Sequence, residues 1–106
     1  MIKINISKDF SDTPGGRYEK EGSYSGETFR KNILEPKYKE AKLKNEKLEV
    51  NMDGCYGFPS SFIDESFGEL SRELEENILS NISIISNDEP SLVDDIKKCI
   101  YQEKRK

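Results

Sequence analysis

Three short segments of this chain alternate apolar and polar residues, and helix-period stripes separate them. Ile2, Ile4 and Ile6 alternate with Lys3 and Asn5, and Leu48, Val50 and Met52 alternate with Glu49 and Asn51. The third segment is Ile82, Ile84 and Ile85 around Ser83. A period of two sets one face of each strand on a core and the other in water. Between the first and second segments, Phe29, Ile33 and Leu34 make an inward stripe. Between the second and third, Ile63, Phe67, Leu70, Leu74 and Ile78 recur at the helical period. Leu92, Val93, Ile96, Cys99 and Ile100 form the inward face of a last helix. Strand–helix–strand crossings imply parallel pairs. Strict alternation within the strands places the helices mainly on one face of the sheet.

Turn and cap residues divide the chain further. Asp12-Thr13-Pro14-Gly15-Gly16 reads as a turn cluster, after which Arg17 to Glu21 is expected to return as a polar edge strand. Ser25 is placed to cap a helix, with Glu27 in its first turn. Pro36 restricts Glu35 and is expected to end that helix, leaving Tyr38 and Ala41 on a short second one. A helix is expected from about Ser60, closing at Asn81, and another from Pro90. The tail Lys104-Arg105-Lys106 complements the negative end of the last helix dipole. The expected fold is therefore α/β, with a mixed, largely parallel four-stranded sheet and helices mainly on one face.

At 106 residues the chain suits one domain over 1–106 with one core. Charged residues (36%) outnumber hydrophobic ones (33%), yet the apolar residues are clustered and periodic, which argues against disorder. A net charge of −4 speaks against nonspecific nucleic-acid binding, which rests on neutralising phosphates. The local exception holds Lys37, Lys39, Lys42, Lys44 and Lys47 against Glu40 and Glu46. Cys55 and Cys99 fit no metal or redox spacing, and histidine is absent. No cofactor and no metal are expected. No long apolar run suggests a membrane span, so a reducing, cytoplasmic setting is expected.

The most informative run is Asp53-Gly54-Cys55-Tyr56-Gly57-Phe58-Pro59-Ser60-Ser61-Phe62-Ile63-Asp64-Glu65-Ser66-Phe67-Gly68. Together with Ser25-Gly26-Glu27-Thr28-Phe29-Arg30 it resembles a bacterial and phage family called STAS-like, itself similar to the anti-sigma-factor-antagonist (STAS) domains. In those antagonists a central strand ends in an acidic residue, and a partner kinase phosphorylates a serine or threonine at the next helix start. The resemblance thus implies a strand end at Asp53 and candidate phosphoacceptors at Ser60 and Ser61. The loop from Gly54 to Pro59, longer and aromatic, departs from the STAS pattern. A protein partner, such as a histidine-kinase-like ATPase or another signalling protein, is what the resemblance implies.

Each candidate residue also has an ordinary structural role. Ser60 or Ser61 could hold a phosphate at the free amides of a helix start, or simply cap it. Asp53, Asp64 and Glu65 do not converge as a cation site would require, and acidic residues in a first turn stabilise a helix. Arg30 could receive a phosphate, but an ion pair with Glu27 or Glu65 tying the first helix to the Asp53 loop is the favoured role. Tyr56, Phe58 and Phe62 either form a docking surface or lie as a lid on the core. Cys55 has no basic neighbour in sequence to lower its pKa. The expected function is a non-enzymatic regulatory protein–protein interaction module. Asp53, Gly54, Tyr56, Gly57, Phe58, Pro59 and Glu65 form its partner surface, supported by Ser25, Gly26, Glu27, Phe29 and Arg30. A phosphate on either serine would add charge beside existing carboxylates and release an acidic or apolar partner. The alternative is a nucleic-acid-associated regulator, or a phage defence or counter-defence component, acting through the lysines of 37–47.

Overall fold

Alternating strands need a partner face, and the computed structural model shows where each finds one. It describes residues 1–104, with side chains described to Ile100. The charges of Lys104-Arg105-Lys106 lie outside the described residues. Strands β1 (Ile2–Asn5), β2 (Leu48–Asn51) and β3 (Ile82–Ile85) form one sheet in the order β1-β2-β3. Both pairings are parallel, with Ile4 opposite Val50 and Val50 opposite Ile84. Ile4, Leu48, Val50 and Ile82 are buried, whereas Lys3 and Ser83 are exposed, so the helical layer covers one face. Ile84, on the edge strand β3, is only half-buried.

The sheet has three strands rather than four, and it is wholly parallel rather than mixed. Residues 17–21 are a short turn, not an edge strand, because their backbone groups are spent locally. The Glu21 carboxylate accepts from the amides of Arg17 (2.9 Å) and Tyr18 (2.8 Å). The carbonyls of Gly16 and Arg17 accept from the amides of Gly26 and Glu27, both at 3.0 Å. Most of the segment's backbone groups are thus engaged locally and not in a ladder, and these carbonyls close the start of the next helix.

A single turn, α1 (Ile6–Asp9), follows β1, with the Asn5 side chain as its cap. Helix α2 spans residues 26–43 as three consecutive segments, Gly26–Phe29, Arg30–Leu34 and Glu35–Leu43. The Ser25 hydroxyl caps it by accepting from the Thr28 amide at 3.1 Å. Pro36 does not end it. The middle segment is a π turn in which the Glu35 amide donates to the Arg30 carbonyl. This wider turn accommodates a residue that lacks an amide and would crowd the carbonyl four residues back. Tyr38 and Ala41 therefore reach the core on the same helix as Phe29.

Helix α3 spans residues 60–74, again with a π turn, Asp64–Gly68, between α segments. It stops at Leu74, short of Asn81, because Glu75 turns left-handed at φ 54°. Ile78 is still fully buried, on a separate short turn, Ile78–Ser80, capped by Asn77. Helix α4 (Ser91–Lys104) buries Leu92, Ile96 and Ile100 and packs closely on α3 at Gly68. Gly26 is equally constrained, since a β-carbon there would lie 2.7 Å from the Phe62 carbonyl oxygen. The two π turns meet where α2 crosses α3.

Candidate functional site

The three strands all run toward one edge of the sheet, and the segments leaving them gather there. The central strand delivers Asp53 to Pro59, the stretch with the greatest share of aromatic and glycine residues. In open α/β sheets this is the edge where loops and helix amino-termini converge. Gly54 has φ +94°, a conformation open to glycine at little cost, and a side chain there would also strike the Ser7 hydroxyl.

Asp53 holds the neighbouring strand's loop. Its carboxylate accepts from the Asn87 amide (2.7 Å), the Asp88 amide (2.8 Å) and the Asn87 side chain (3.0 Å). Asp88 returns the contact by accepting from the Gly54 amide at 3.0 Å. The Asp88 amide, with help from Asn87, holds the Asp53 carboxyl below its usual value of 3.8. A depressed folded-state pKa means this clamp is complete above pH ~4 and is lost as pH falls through the lowered value. The protection factors of the Asn87 and Asp88 amides, exchange rates corrected for the intrinsic pH dependence, should therefore fall in acid, and Asp53→Asn should remove that pH dependence. Identical acid profiles in the two proteins would show that another carboxylate governs the loop.

The aromatic residues divide between core and surface. Phe62 is fully buried and stacks on Phe29 at 5.6 Å between ring centroids. Phe58 is half-buried and packs on Phe62 at 5.7 Å, which anchors the loop. Tyr56 is 86% exposed. A groove of about 440 Å³ runs beside it, lined by Thr13, Pro14, Gly57, Phe58 and Pro59. Asp12, whose carbonyl accepts from the Tyr56 amide at 2.8 Å, comes from the loop after β1. The sequence reading missed the contributions of Asp12, Pro14, Asn87 and Asp88. The turn cluster at 12–16 was visible in sequence, but nothing local tied it to Tyr56.

Pro59, not a serine, stands at the cap position of α3, and its carbonyl accepts from the Phe62 and Ile63 amides. Ser60 is exposed and Ser61 half-buried, and among the described residues neither hydroxyl has a hydrogen-bond partner. Glu65, expected on the partner surface, is instead buried. Its carboxylate pairs with Arg30 at 3.2 Å and with Arg17 at 3.4 Å. Arg30 also donates to the Glu65 carbonyl (3.0 Å) and to Glu73 (2.9 Å), so it ties α2 to α3 rather than to the Asp53 loop. Asp64 pairs with Arg17 and Arg72. Burial works to raise its pKa, but those two guanidinium contacts outweigh it and hold the carboxyl low. The charges of Asp64 and Glu65 are thus already matched by arginines. Burial, with Asp12 nearby, pushes the Cys55 thiol up to about 11, so it is protonated at neutral pH.

The profile of a family described as a STAS-like domain of unknown function matches residues 25–92. The chain belongs to this family of STAS-like domains. The match begins at the Ser25 cap and runs through the Asp53 loop to the start of α4. No curated protein matches the chain, and no solved structure does. Among the described residues of this STAS-like chain no helix is long and apolar enough to cross a membrane. Three of its five lysines in 37–47 are engaged in ion pairs, Lys39 with Glu35, Lys42 with Glu76 and Lys44 with Glu40.

Proposed function

We propose that this STAS-like domain is a regulatory protein-binding module that does no chemistry of its own. Its contact surface is centred on Tyr56 and switched at Ser60. The observation that carries the reading is an aromatic side chain 86% exposed on a loop that the fold otherwise anchors firmly. Phe58 fixes the loop from below and the Asp53 clamp fixes its base, so Tyr56 is presented rather than left loose. Tyrosine in such a position is a frequent source of binding energy at protein interfaces. The pairing of Lys39, Lys42 and Lys44 with carboxylates weighs against a nucleic-acid surface at 37–47.

Ser60 follows Pro59, which lines the groove, and among the described residues its hydroxyl has no hydrogen-bond partner. A phosphate there would add about −1.5 to −2 charges, costly to desolvate beneath an apolar contact, and so would release the partner. Affinity capture from the native host tests both parts. Wild type and Ser60→Ala should retain a protein that Tyr56→Ala loses. Ser60→Asp should weaken that complex at least tenfold, or ~1.4 kcal/mol. A partner held equally well by Tyr56→Ala places the interface elsewhere.

A further inference from the structure

At the far end of α3 from the Tyr56 loop, the carboxyl ends of α2 and α3 enclose an open groove of about 420 Å³. Tyr38 is its buried floor, and Leu74 stands half-buried in its wall. Leu43 borders it and is 89% exposed, more than any other large hydrophobic side chain among the described residues. A single exposed leucine is ordinary. A leucine beside an apolar groove puts a knob and a hole on one surface. The two banks of the groove differ in charge. The charged lining residues on α2 are Lys39 and Lys42, and the one on the opposite bank is Glu76. Glu75, next to it in sequence, is exposed and makes no ion pair among the described residues. Lys42 reaches Glu76 across the groove at 3.0 Å, and Lys39 pairs with Glu35 on its own helix at 2.8 Å. Exposed pairs of this kind contribute little within one copy.

We infer that this groove is a homodimer interface, filled by Leu43 of a second copy of the chain. A two-fold axis makes a patch meet itself, so the patch has to carry both halves of the match. Because Leu43 borders the groove that it fills in the other copy, an axis beside it seats both leucines at once, each near the other copy's Leu74. The same rotation lays the lysine bank of each copy over the glutamate bank of the other, so opposite charges meet on both sides of the leucines. A foreign segment would need an apolar residue between a basic and an acidic side in the matching order, which this surface already possesses. The chain as a whole carries −4 and repels its copies, and this groove is a place where that repulsion is reversed. The inference goes beyond the protein-binding reading and does not depend on it. Dimerisation at this end leaves both Tyr56 loops open, and two loops on one particle would bind a clustered partner with avidity.

Sedimentation velocity of the full chain, from micromolar to millimolar concentration, tests the interface. A reversible monomer–dimer equilibrium is expected. Leu43→Gln should raise its dissociation constant at least tenfold and leave the melting temperature of the dilute chain unchanged, since an exposed side chain contributes little to the monomer. Lys39→Glu should weaken the dimer, and Lys39→Glu/Glu75→Lys, which reverses both banks, should recover it. Tyr56→Ala should leave it intact, which separates this interface from the partner surface. A chain that stays monomeric at millimolar concentration overturns the inference. So does a dimer that forms as tightly with Leu43→Gln or Lys39→Glu as with wild type, or one that Tyr56→Ala dissolves. A monomeric chain that holds a host protein through Leu43 assigns the groove to a foreign partner and overturns the second copy.

Discussion

Replacing Phe67 by alanine should cost the domain about 3–5 kcal/mol. Phe67 is fully buried on the π turn of α3 and packs on Phe29 at 6.2 Å between ring centroids. The turn that carries it packs against two other helices, with Phe29 on α2 and α4 on the far side. Collapse into the vacated space would have to move all of them, so both the transfer term and the cavity term apply. A domain of this size loses roughly 4–8 °C of melting temperature per kcal/mol, so the midpoint should fall by upwards of ~12 °C. Ile84→Ala is the control, because the same period places Ile84 inward but the structure leaves it half-buried. Its loss should be clearly smaller. A Phe67→Ala melting temperature equal to wild type would mean that α3 presents another face to the core.

Removing Arg30 should be as damaging, for an electrostatic reason. The Arg30 and Glu65 side chains are only 6% and 8% exposed. Arg30→Met deletes the guanidinium and leaves the buried Glu65 carboxylate with Arg17 alone, at 3.4 Å. Breaking a buried pair in this way typically costs about 3–5 kcal/mol. Removing both charges is different, because a well-packed apolar pair of similar volume is often neutral. Glu73 is 44% exposed and can turn to water, and Arg17 keeps Asp64 at 2.6 Å. The double variant Arg30→Met/Glu65→Leu should therefore recover most of the loss in chemical denaturation. If the double variant is no more stable than Arg30→Met, the defect comes from the lost bond to the Glu65 carbonyl and not from an orphaned charge.

Much of the fold was legible residue by residue. The strands at Ile2, Leu48 and Ile82 follow from alternation, which is local and strong. Their parallel pairing follows from the crossovers between them. Ser25 could be read as a cap because capping needs only a hydroxyl and an amide three residues on. Other expectations failed where a distant group changed a local rule. Pro36 would end an isolated helix, yet the π turn before it lets α2 continue and bury Tyr38 and Ala41. Arg17 to Glu21 has the polarity of an edge strand, but Glu21 and the start of α2 consume its backbone groups.

Periodicity, turn chemistry and crossover order, all written within a few consecutive residues, point to an α/β domain with parallel strands at Ile2, Leu48 and Ile82, but they also suggested a fourth, antiparallel edge strand at 17–21 that the structure does not form. They also place the Asp53 loop after the second of these strands, and its central position was implied only by the STAS resemblance. Which carboxylates are spent and which are available is not written locally. Arg17 reaches Asp64 across 47 residues, and Asp53 clamps Asn87 across 34. A residue's charge is readable from its name, but its pairing depends on which segments the crossovers bring within about 4 Å, where Coulomb energy and hydrogen bonding act. That is why Glu65, acidic and next to the motif, turned out to be a buried strut. Asp88 and Glu89, legible in sequence only as a turn before the last helix, stand with Tyr56 on the open edge because parallel strands deliver all their exits to the same side.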